Sequence, residues 1–273
     1  MIKKYRFLIA RRITQISIMV LYVIANVYGI NILMGNLSSS LILKTIPLSD
    51  PYAVLQMFFA GAFISFDIFL GALFILIFYM IVGGRAFCSW VCPVNMITDL
   101  ENFLRRKFGF NQIQKKQPAS RNIRYWVIAI SFVISFFMGL AAFELVSPIS
   151  MVHRGIIFGL GFGWAAMLVI FLFDLFVLKN GWCGHICPLG GFYSLVGRFS
   201  LIRVHHNADN CTACMKCKEV CPESQVLHMV TKTSIPVLSG ECTNCGRCVE
   251  VCDDNALNFS IKNLKKEKEN EVR

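Results

Sequence analysis

The chain has 273 residues, of which 56% are hydrophobic and 16% are charged, whereas charged residues make up about 25% of a typical soluble domain. The mean hydropathy of +0.59 likewise favours an integral membrane protein. The formal net charge of +11 is explained by basic residues that flank membrane spans. Because the sequence lacks the aromatic and basic motifs of nucleic-acid-binding modules, we expect no nucleic-acid partner.

Four apolar stretches follow a basic N-terminal arm formed by residues 1–12. Each stretch is long enough to cross about 30 Å of hydrocarbon, and none contains an interior Lys or Arg. The first resembles a signal peptide, but its apolar run is too long and no small-residue cleavage site ends it, so we predict an uncleaved helix. The predicted spans are about 13–35, 61–82, 125–146 and 156–178.

Lys and Arg residues are distributed unevenly between these spans. The N-terminal arm has five, the segment 83–124 has eight and the chain from Lys179 onward has twelve, whereas 36–60 and 147–155 have one each. Basic residues collect on the cytoplasmic side of a membrane. We therefore predict a multi-pass protein of the inner membrane with both termini in the cytoplasm.

The segment between the first two spans contains a helix-start signature. Ser49 and Asp50 are capping residue types, and Pro51 is favoured in a first helical turn. We predict a short helix from Pro51 that lies in or re-enters the outer leaflet, with a simple extension of the second span as the alternative. Residues 261–273 are predicted to form a charged, solvated tail.

Eight of the twelve cysteines form two tandem quartets in the C-terminal region, a spacing typical of bacterial two-cluster ferredoxins. In that arrangement the fourth cysteine of each quartet ligates the other cluster. A zinc ribbon is the alternative, and a disulfide framework is disfavoured because the thiols are grouped for metal binding. The predicted ligand sets for two 4Fe–4S clusters are Cys211, Cys214, Cys217 and Cys252 for the first, and Cys242, Cys245, Cys248 and Cys221 for the second.

The other four cysteines form a repeated Cys-x-x-x-Cys-Pro motif, at Cys88 and Cys92 and again 95 residues later at Cys183 and Cys187. Similar segments also precede the second and fourth spans. We infer two related two-span halves in the same orientation, with a pseudo-twofold axis along the membrane normal. This symmetry would bring the four cysteines together on one side. They would form a four-thiolate metal or redox site, carry out reversible thiol–disulfide chemistry within the pairs, or act as structural thiols that pack near the ferredoxin domain.

The chain closely resembles the NapH family of membrane ferredoxin-type proteins over essentially its whole length. The resemblance is carried by the two cysteine quartets, by Gly83–Asn95 (GGRAFCSWVCPVN) and by Ser147–Gly155 (SPISMVHRG). It implies four spans, both termini in the cytoplasm and a role as a quinol dehydrogenase component. Electrons from membrane quinol would then pass to a periplasmic iron–sulfur partner, NapG, and onward to a nitrate reductase.

A quinol site needs an apolar slot and groups that accept protons from the hydroxyls. The predicted periplasmic ends of the spans supply Glu144, His153 and Gln56, and the inferred symmetry would pair Gln56 with His153. In the alternative interpretation, Glu144 only pairs with Arg154. Asp67 and Asp174 lie within the second and fourth spans and are weaker candidates.

The sequence as a whole predicts an α-helical integral membrane protein with a C-terminal α+β ferredoxin-like domain. The four-span bundle of two parallel pseudo-repeats occupies 13–198 and the two-cluster domain occupies 199–260. The alternative functions are an accessory or assembly protein for a metalloenzyme and a redox sensor. Their known families carry further spans or a periplasmic domain for which we find no counterpart, so we favour the quinol dehydrogenase.

Overall fold

The computed structural model describes residues 5–29, 33–43, 45–109, 120–159, 161 and 163–261. This part of the chain is mostly helical. The predicted tail, apart from Ile261, lies outside it. In chain order, its elements are α1 Arg6–Tyr28, β1 Leu33–Gly35, β2 Ser39–Ile42, β3 Ile46–Ser49, α2 Pro51–Phe59, α3 Phe66–Val82, α4 Ala86–Trp90, α5 Val94–Phe108, α6 Ile123–Met138, α7 Ala142–Val146, α8 Pro148–Phe158, α9 Gly163–Phe176, α10 Pro188–Val196, β4 Ile202–His206, α11 Lys216–Val220, α12 Arg247–Glu250 and β5 Leu257–Ile261.

The chain divides into two compact units, which are described separately. The cysteine-rich unit comprises Met1–Arg11, Tyr79–Ser89 and Tyr193–Arg273. The apolar unit comprises Arg12–Phe78 and Trp90–Phe192.

One helix of the described residues, the 23-residue α1, is long and apolar enough to cross a membrane. Helices α3, α6 and α9 are also apolar but have 17, 16 and 14 residues, fewer than the about 20 that a span usually needs. The predicted span limits are therefore wrong in detail. Helix α1 runs from Arg6 to Tyr28 rather than from 13 to 35, and α3 begins at Phe66 rather than at 61.

The predicted third and fourth spans are each interrupted at a glycine. Gly139 ends α6 with a φ of +67°, and Gly159 follows α8 with a φ of +103°. Both angles lie in the region that favours glycine over residues with a side chain. The stretch predicted as one third span is thus α6 followed by α7, and the fourth span is preceded by the separate helix α8.

Strands β1, β2 and β3 form an antiparallel sheet, in which Leu33 pairs with Ile42 and Ser40 pairs with Leu48. The prediction placed the end of a span and a loop in this region. Helix α2 follows, and the Asp50 side chain accepts a hydrogen bond from the Tyr52 N–H at 3.4 Å. The predicted short helix from Pro51 is confirmed, and the alternative extension of the second span is wrong because α2 and α3 are separate helices.

Helices α2 and α8 begin in the same way, with an extended capping residue followed by proline. Helix α2 packs on α6, where the Tyr52 hydroxyl and the Ser131 hydroxyl are 2.6 Å apart. Helix α8 packs closely on α9, because a Cβ atom at Gly163 would lie 2.6 Å from the Met151 carbonyl oxygen. Gln56 and His153 occupy corresponding positions, each five residues after the starting proline.

The cysteine-rich unit is built around the antiparallel pair β4–β5, in which His206 pairs with Leu257. Two short helices, α11 and α12, each follow one cysteine loop. The loops have matching backbones, since Ala213 and Met215 in the first and Asn244 and Gly246 in the second all have positive φ. Buried residues of this unit's core include Val204, Val226, Leu227, Met229, Val230, Val237 and Leu257.

The start of α1 also belongs to the cysteine-rich unit. The Glu250 carboxylate accepts hydrogen bonds from the main-chain N–H groups of Phe7 and Leu8, the latter at 3.1 Å. A carboxylate at this position satisfies free helical N–H groups and complements the positive end of the helix dipole. The Phe7 ring meets the Phe259 ring edge to face, at a centroid distance of 5.4 Å.

Replacement of Gly84 by alanine should destabilise the cysteine-rich unit. A Cβ atom there would lie 2.1 Å from the Tyr193 carbonyl oxygen and 2.3 Å from the Gly197 nitrogen, so main-chain segments would have to move apart. Such overpacking typically costs about 1–3 kcal/mol. The matched control is Gly161→Ala, which meets no atom within 4 Å. Chemical denaturation of the purified protein measures the difference, and equal stability of the two variants would contradict this packing.

Candidate functional site

Two cavities in the cysteine-rich unit are each lined by four cysteines. One cavity, of about 370 Å³, is lined by Cys221, Cys242, Cys245 and Cys248. The other, of about 320 Å³, is lined by Cys211, Cys214, Cys217 and Cys252. These are the two sets that the ferredoxin spacing predicts, including the exchange of the fourth cysteine between the two loops.

The lining of these cavities fits iron–sulfur clusters. Apart from the cysteines, the lining is mostly apolar, with Val226 and Leu227 in the first cavity and Val230 and Leu257 in the second. Four thiolates in an apolar setting are what a 4Fe–4S cluster requires.

Burial affects the chemistry of the thiols in the first cavity. It raises the pKa of Cys242 to about 11 and that of Cys248 well above its ordinary value. When free, the thiols of Cys242 and Cys248 are therefore protonated at neutral pH. Because metal ligands bind as thiolates, assembly of a cluster releases protons.

A buried ion pair supports the first cavity. The Arg85 guanidinium donates to the Glu223 carboxylate at 2.8 Å and to the Glu241 carbonyl oxygen at 3.1 Å, and Glu223 lines the cavity. Sequence analysis singled out neither residue as functional, although Arg85 lies in the segment that carries the family resemblance.

The second cavity contains a fully buried histidine that sequence analysis also missed. His206 lines this cavity, and its Nδ1 atom lies 2.8 Å from the Thr233 carbonyl oxygen. Since a carbonyl only accepts, Nδ1 carries the hydrogen. The position of His206 at the end of β4, just before the first cysteine loop, was the available signal.

The Cys-x-x-x-Cys-Pro motifs are less regular than their spacing suggests. Helix α4 carries Cys88 and ends at Trp90, so Cys92 lies outside it, and Cys183 lies in a π-helical turn, Trp182–Ile186, that ends before Cys187. Although a spacing of four residues places two side chains on one face of a helix, neither pair of cysteines lies in a single helix. Helices α5 and α10 follow the two motifs.

Cys88 falls in the cysteine-rich unit, whereas Cys92, Cys183 and Cys187 fall in the apolar unit. Among the described residues, no group of three or more His, Cys, Asp or Glu side chains is arranged to hold a single metal ion. A further metal or redox site at these four cysteines stays a prediction.

The three residues proposed for quinol binding have different surroundings in the apolar unit. Gln56 is buried, and its Oε1 atom accepts from the Phe143 N–H at 3.1 Å and lies 3.4 Å from the Ser135 hydroxyl. Glu144 accepts from the Ser38 hydroxyl at 2.6 Å and also from Ser150. The hydrogen bonds of Gln56 hold its side chain against α6 and α7.

His153 has the most unusual environment of the three. It is 1% exposed, and neither ring nitrogen has a hydrogen-bond partner among the described residues. Its ring packs edge to face on Tyr22 of α1, with a centroid distance of 4.7 Å. Burial, and secondarily the charge of Arg154, lower the pKa of His153 to about 4, so the ring is neutral at neutral pH.

Comparison with protein families agrees with the geometry. A family model described as a 4Fe-4S binding domain matches residues 64–111 and again 160–205. These two matches begin 96 residues apart, close to the 95-residue separation of the Cys-x-x-x-Cys-Pro motifs. A second model, described as a 4Fe-4S dicluster domain, matches residues 203–253. Fold and site thus define a ferredoxin-type iron–sulfur protein.

Relatives identify the family within this class. The chain is 41% identical to the methylamine utilization ferredoxin-type protein MauN of Methylorubrum extorquens, over 88% of this chain and 84% of that protein. It is 40% identical to the ferredoxin-type protein NapH of Escherichia coli, over 82% and 78%, and 42% identical to NapH of Haemophilus influenzae, over 81% and 77%. The chain therefore belongs to the NapH family of ferredoxin-type proteins, as its motifs predicted. No solved structure matches it.

Removal of one partner of the Arg85–Glu223 pair should destabilise the protein strongly. Both side chains are almost fully buried, so Glu223→Ala leaves a buried guanidinium without its counter-charge, at a cost of about 3–5 kcal/mol. The double variant Arg85→Met with Glu223→Leu should recover most of this loss. Chemical denaturation measures all three proteins, and a double variant that is no more stable than Glu223→Ala would argue against a coupled pair.

Proposed function

We propose that this protein is a quinol dehydrogenase subunit of the inner membrane. It would carry two 4Fe–4S clusters and pass electrons from membrane quinol toward a periplasmic nitrate reductase. The similarity to NapH and MauN proteins and to 4Fe-4S domains supports the general role in iron–sulfur electron transfer. The observation that carries the quinol assignment is the buried imidazole of His153, whose ring nitrogens have no hydrogen-bond partner in the part of the chain that the structure describes.

The apolar unit has the surface of a protein surrounded by lipid, which supports a four-span arrangement. Large apolar side chains on the helices are exposed, including Phe66 on α3, Phe137 on α6 and Val169 on α9. Polar side chains such as Gln15, Ser135 and Asp174 are buried. A soluble protein rarely exposes so much apolar surface. The shorter helices α3, α6 and α9 would span with the help of their flanking residues.

Quinol oxidation releases two electrons and two protons, so the site needs proton acceptors. A ring nitrogen of neutral His153 would accept the proton of one quinol hydroxyl, since neither ring nitrogen has a hydrogen-bond partner among the described residues. The Tyr22 ring packs against one side of the imidazole. The Glu144 carboxylate accepts from Ser150, which lies three residues before His153 on α8. Glu144 is thus the candidate for the second proton, while Gln56 positions the neighbouring main chain at Phe143.

Within the cysteine-rich unit, clusters bound by the two thiol sets would supply one-electron carriers. Cys221 and Cys252 each tie one loop to the cavity of the other, which holds the two sites at a fixed separation. The lining of both cavities is mostly apolar.

The onward partner is proposed from the family alone. A NapG-like periplasmic iron–sulfur protein would receive the electrons, with nitrate reductase beyond it. Relatives named for methylamine utilization are as similar to this chain as those named NapH, so an iron–sulfur role in methylamine utilization is the second candidate function. An accessory role for another metalloenzyme and redox sensing are further alternatives, and neither requires that quinol reduces the clusters.

The exchange of the fourth cysteine can be tested with paired variants. Cys221→Ala should lose the same cluster as Cys242→Ala, and Cys252→Ala the same cluster as Cys211→Ala, because each pair lines one cavity. Each variant should fall from about eight iron atoms per chain to about four. Iron analysis and electron paramagnetic resonance of the reduced protein provide the measurement.

A quartet without exchange would give the opposite grouping of spectra. Cys221→Ala would then match Cys211→Ala, and this result would disprove the proposed ligand sets. Full iron content in all four variants would argue against clusters at these cysteines.

Replacement of His153 should slow the reduction of the clusters by quinol without changing the clusters themselves. General-base catalysis contributes about 10²–10⁴-fold, so His153→Ala combined with Glu144→Gln should slow cluster reduction by a quinol analogue by at least about 100-fold. Reduction by dithionite should be unchanged, because the cysteine cavities are untouched. Anaerobic absorbance spectroscopy follows both reactions.

The matched control is His228→Ala, which removes an exposed histidine of the cysteine-rich unit and should leave both rates unchanged. Quinol-dependent reduction that stays intact in the double variant would refute this site. If quinol fails to reduce the clusters of the unmodified protein, the accessory or sensor role is favoured.

A further inference from the structure

Helix α5 in the apolar unit buries a polar face and exposes an apolar one. Thr98, Glu101, Asn102 and Arg105 are buried on one side of this helix, which packs against α9, whereas Leu100, Phe103 and Phe108 are more than half exposed. This arrangement inverts that of a helix in a water-soluble protein. The polar groups on α5 therefore face other polar groups inside the unit.

Two carboxyl groups and one guanidinium meet on this buried face. Glu101, Arg105 and Asp174 are all 0% exposed. The Arg105 Nε atom lies 3.5 Å from Glu101 Oε1, and the Arg105 side chain also donates to the Asp174 main-chain oxygen at 2.6 Å. Arg105 thus connects Glu101 of α5 with Asp174 of α9.

The two carboxyl groups differ in the donors available to them. Asp174 Oδ1 accepts from the Trp182 main-chain N–H at 2.9 Å, which stabilises its ionised form. Neither oxygen of Glu101 has a hydrogen-bond donor among the described residues. Of the two carboxyl groups, Glu101 is therefore the one that is protonated more readily.

The charges of the cluster do not balance if both carboxyl groups are ionised. Arg105 supplies one positive charge against two negative ones, and a buried charge without compensation is costly. The further charges that act on Glu101 are those of Lys179, which is half-buried, and Arg106, which is exposed. Solvent screens both of these charges, so one bound proton is the less costly way to restore neutrality.

We propose that Glu101 and Asp174 form a buried proton-binding site, in which Glu101 takes up a proton from water when the protein is reduced and releases it on oxidation. Asp174 binds the N–H of Trp182, the residue before Cys183, and Asn102 of α5 donates to Asn180 at 2.7 Å. These contacts join the cluster to the segment that carries Cys183, so negative charge gained at that segment on reduction would increase the affinity of Glu101 for a proton. The electron comes from quinol or dithionite, and the proton converts the Glu101 carboxylate to a carboxylic acid. This inference rests on the proposed electron-transfer role.

Electrostatics agrees with this geometry. Burial, reinforced by the charge of Asp174, raises the pKa of Glu101 from 4.5 to about 8. A carboxyl group with a raised pKa stabilises the fold fully below its unfolded pKa, and this contribution is lost as the pH rises through the folded pKa. Glu101 should therefore make the protein less stable as the pH rises from about 5 to about 8.

The test is infrared spectroscopy of the full-length protein in detergent, with Glu101→Gln as the main variant. The unmodified protein should show a protonated-carboxyl band at neutral pH that is absent from Glu101→Gln. At about pH 8, where part of the Glu101 population is ionised, dithionite reduction should increase the intensity of this band. Asp174→Asn keeps an acceptor for Trp182 but removes a negative charge, so it should shift the midpoint of this band to lower pH. Thermal unfolding of Glu101→Gln should lose the fall in melting temperature between about pH 5 and pH 8.

Asp99→Asn provides the matched control, since Asp99 is on the same helix but pairs with Arg12, and it should leave the band unchanged. A neutral-pH spectrum that is identical in the unmodified protein and Glu101→Gln would overturn the site. A Glu101 band that is equal in oxidised and reduced protein would overturn its coupling to electron transfer. If only quinol fails to change the band while dithionite changes it, the quinol function fails and the proton site stands.

Discussion

The convergence of four thiols on each cavity is the constraint on which the cysteine-rich unit depends. Three of the thiols come from one tight loop, and the fourth, Cys221 or Cys252, comes from the other half. The loops follow this path because residues such as Ala213 and Asn244 adopt positive φ. The pairing of β4 with β5 then joins the chain before the first loop to the chain after the second. Neither half can complete its cavity alone, so the unit forms as a whole.

The apolar unit has the opposite distribution of side chains from a soluble domain, because polar groups are buried inside it and apolar groups form much of its surface. The Tyr52 hydroxyl pairs with the Ser131 hydroxyl, and Gln56 accepts from Ser135 and from the Phe143 N–H. Arg105 connects two helices through Asp174. His153 and Glu101 differ from these, because among the described residues neither ring nitrogen of His153 has a hydrogen-bond partner and neither carboxyl oxygen of Glu101 has a donor. Buried polar groups are usually satisfied. Unsatisfied groups at two separate places in one unit are therefore the natural positions for protons to bind and leave.

The sequence determined some of these features more firmly than others. The spacing of the eight C-terminal cysteines predicted the partition between two cavities, because ligand geometry limits how such loops fold. Asp50 and Pro51 predicted a helix start, because capping is a local effect. The breaks at Gly139 and Gly159 were missed, since an apolar run gives no sign of where a glycine adopts positive φ.

Long-range contacts could not be predicted from these patterns. The inferred symmetry placed Gln56 beside His153, but the contacts of Gln56 are with α6 and α7, and His153 packs on Tyr22 of α1. Nothing in the local sequence distinguishes Glu101 from an ordinary exposed helical glutamate. Its burial depends on the packing of α5 against α9, which is a property of the whole unit.

The carboxylate of Glu250 at the start of α1 has a consequence for biosynthesis. The chain leaves the ribosome from its N-terminus, so α1 is made well before Glu250 and Phe259. The first turn of α1 cannot be capped by this carboxylate until Glu250 has been translated. An affinity tag fused close to Phe7 would therefore disturb a contact that forms late in assembly.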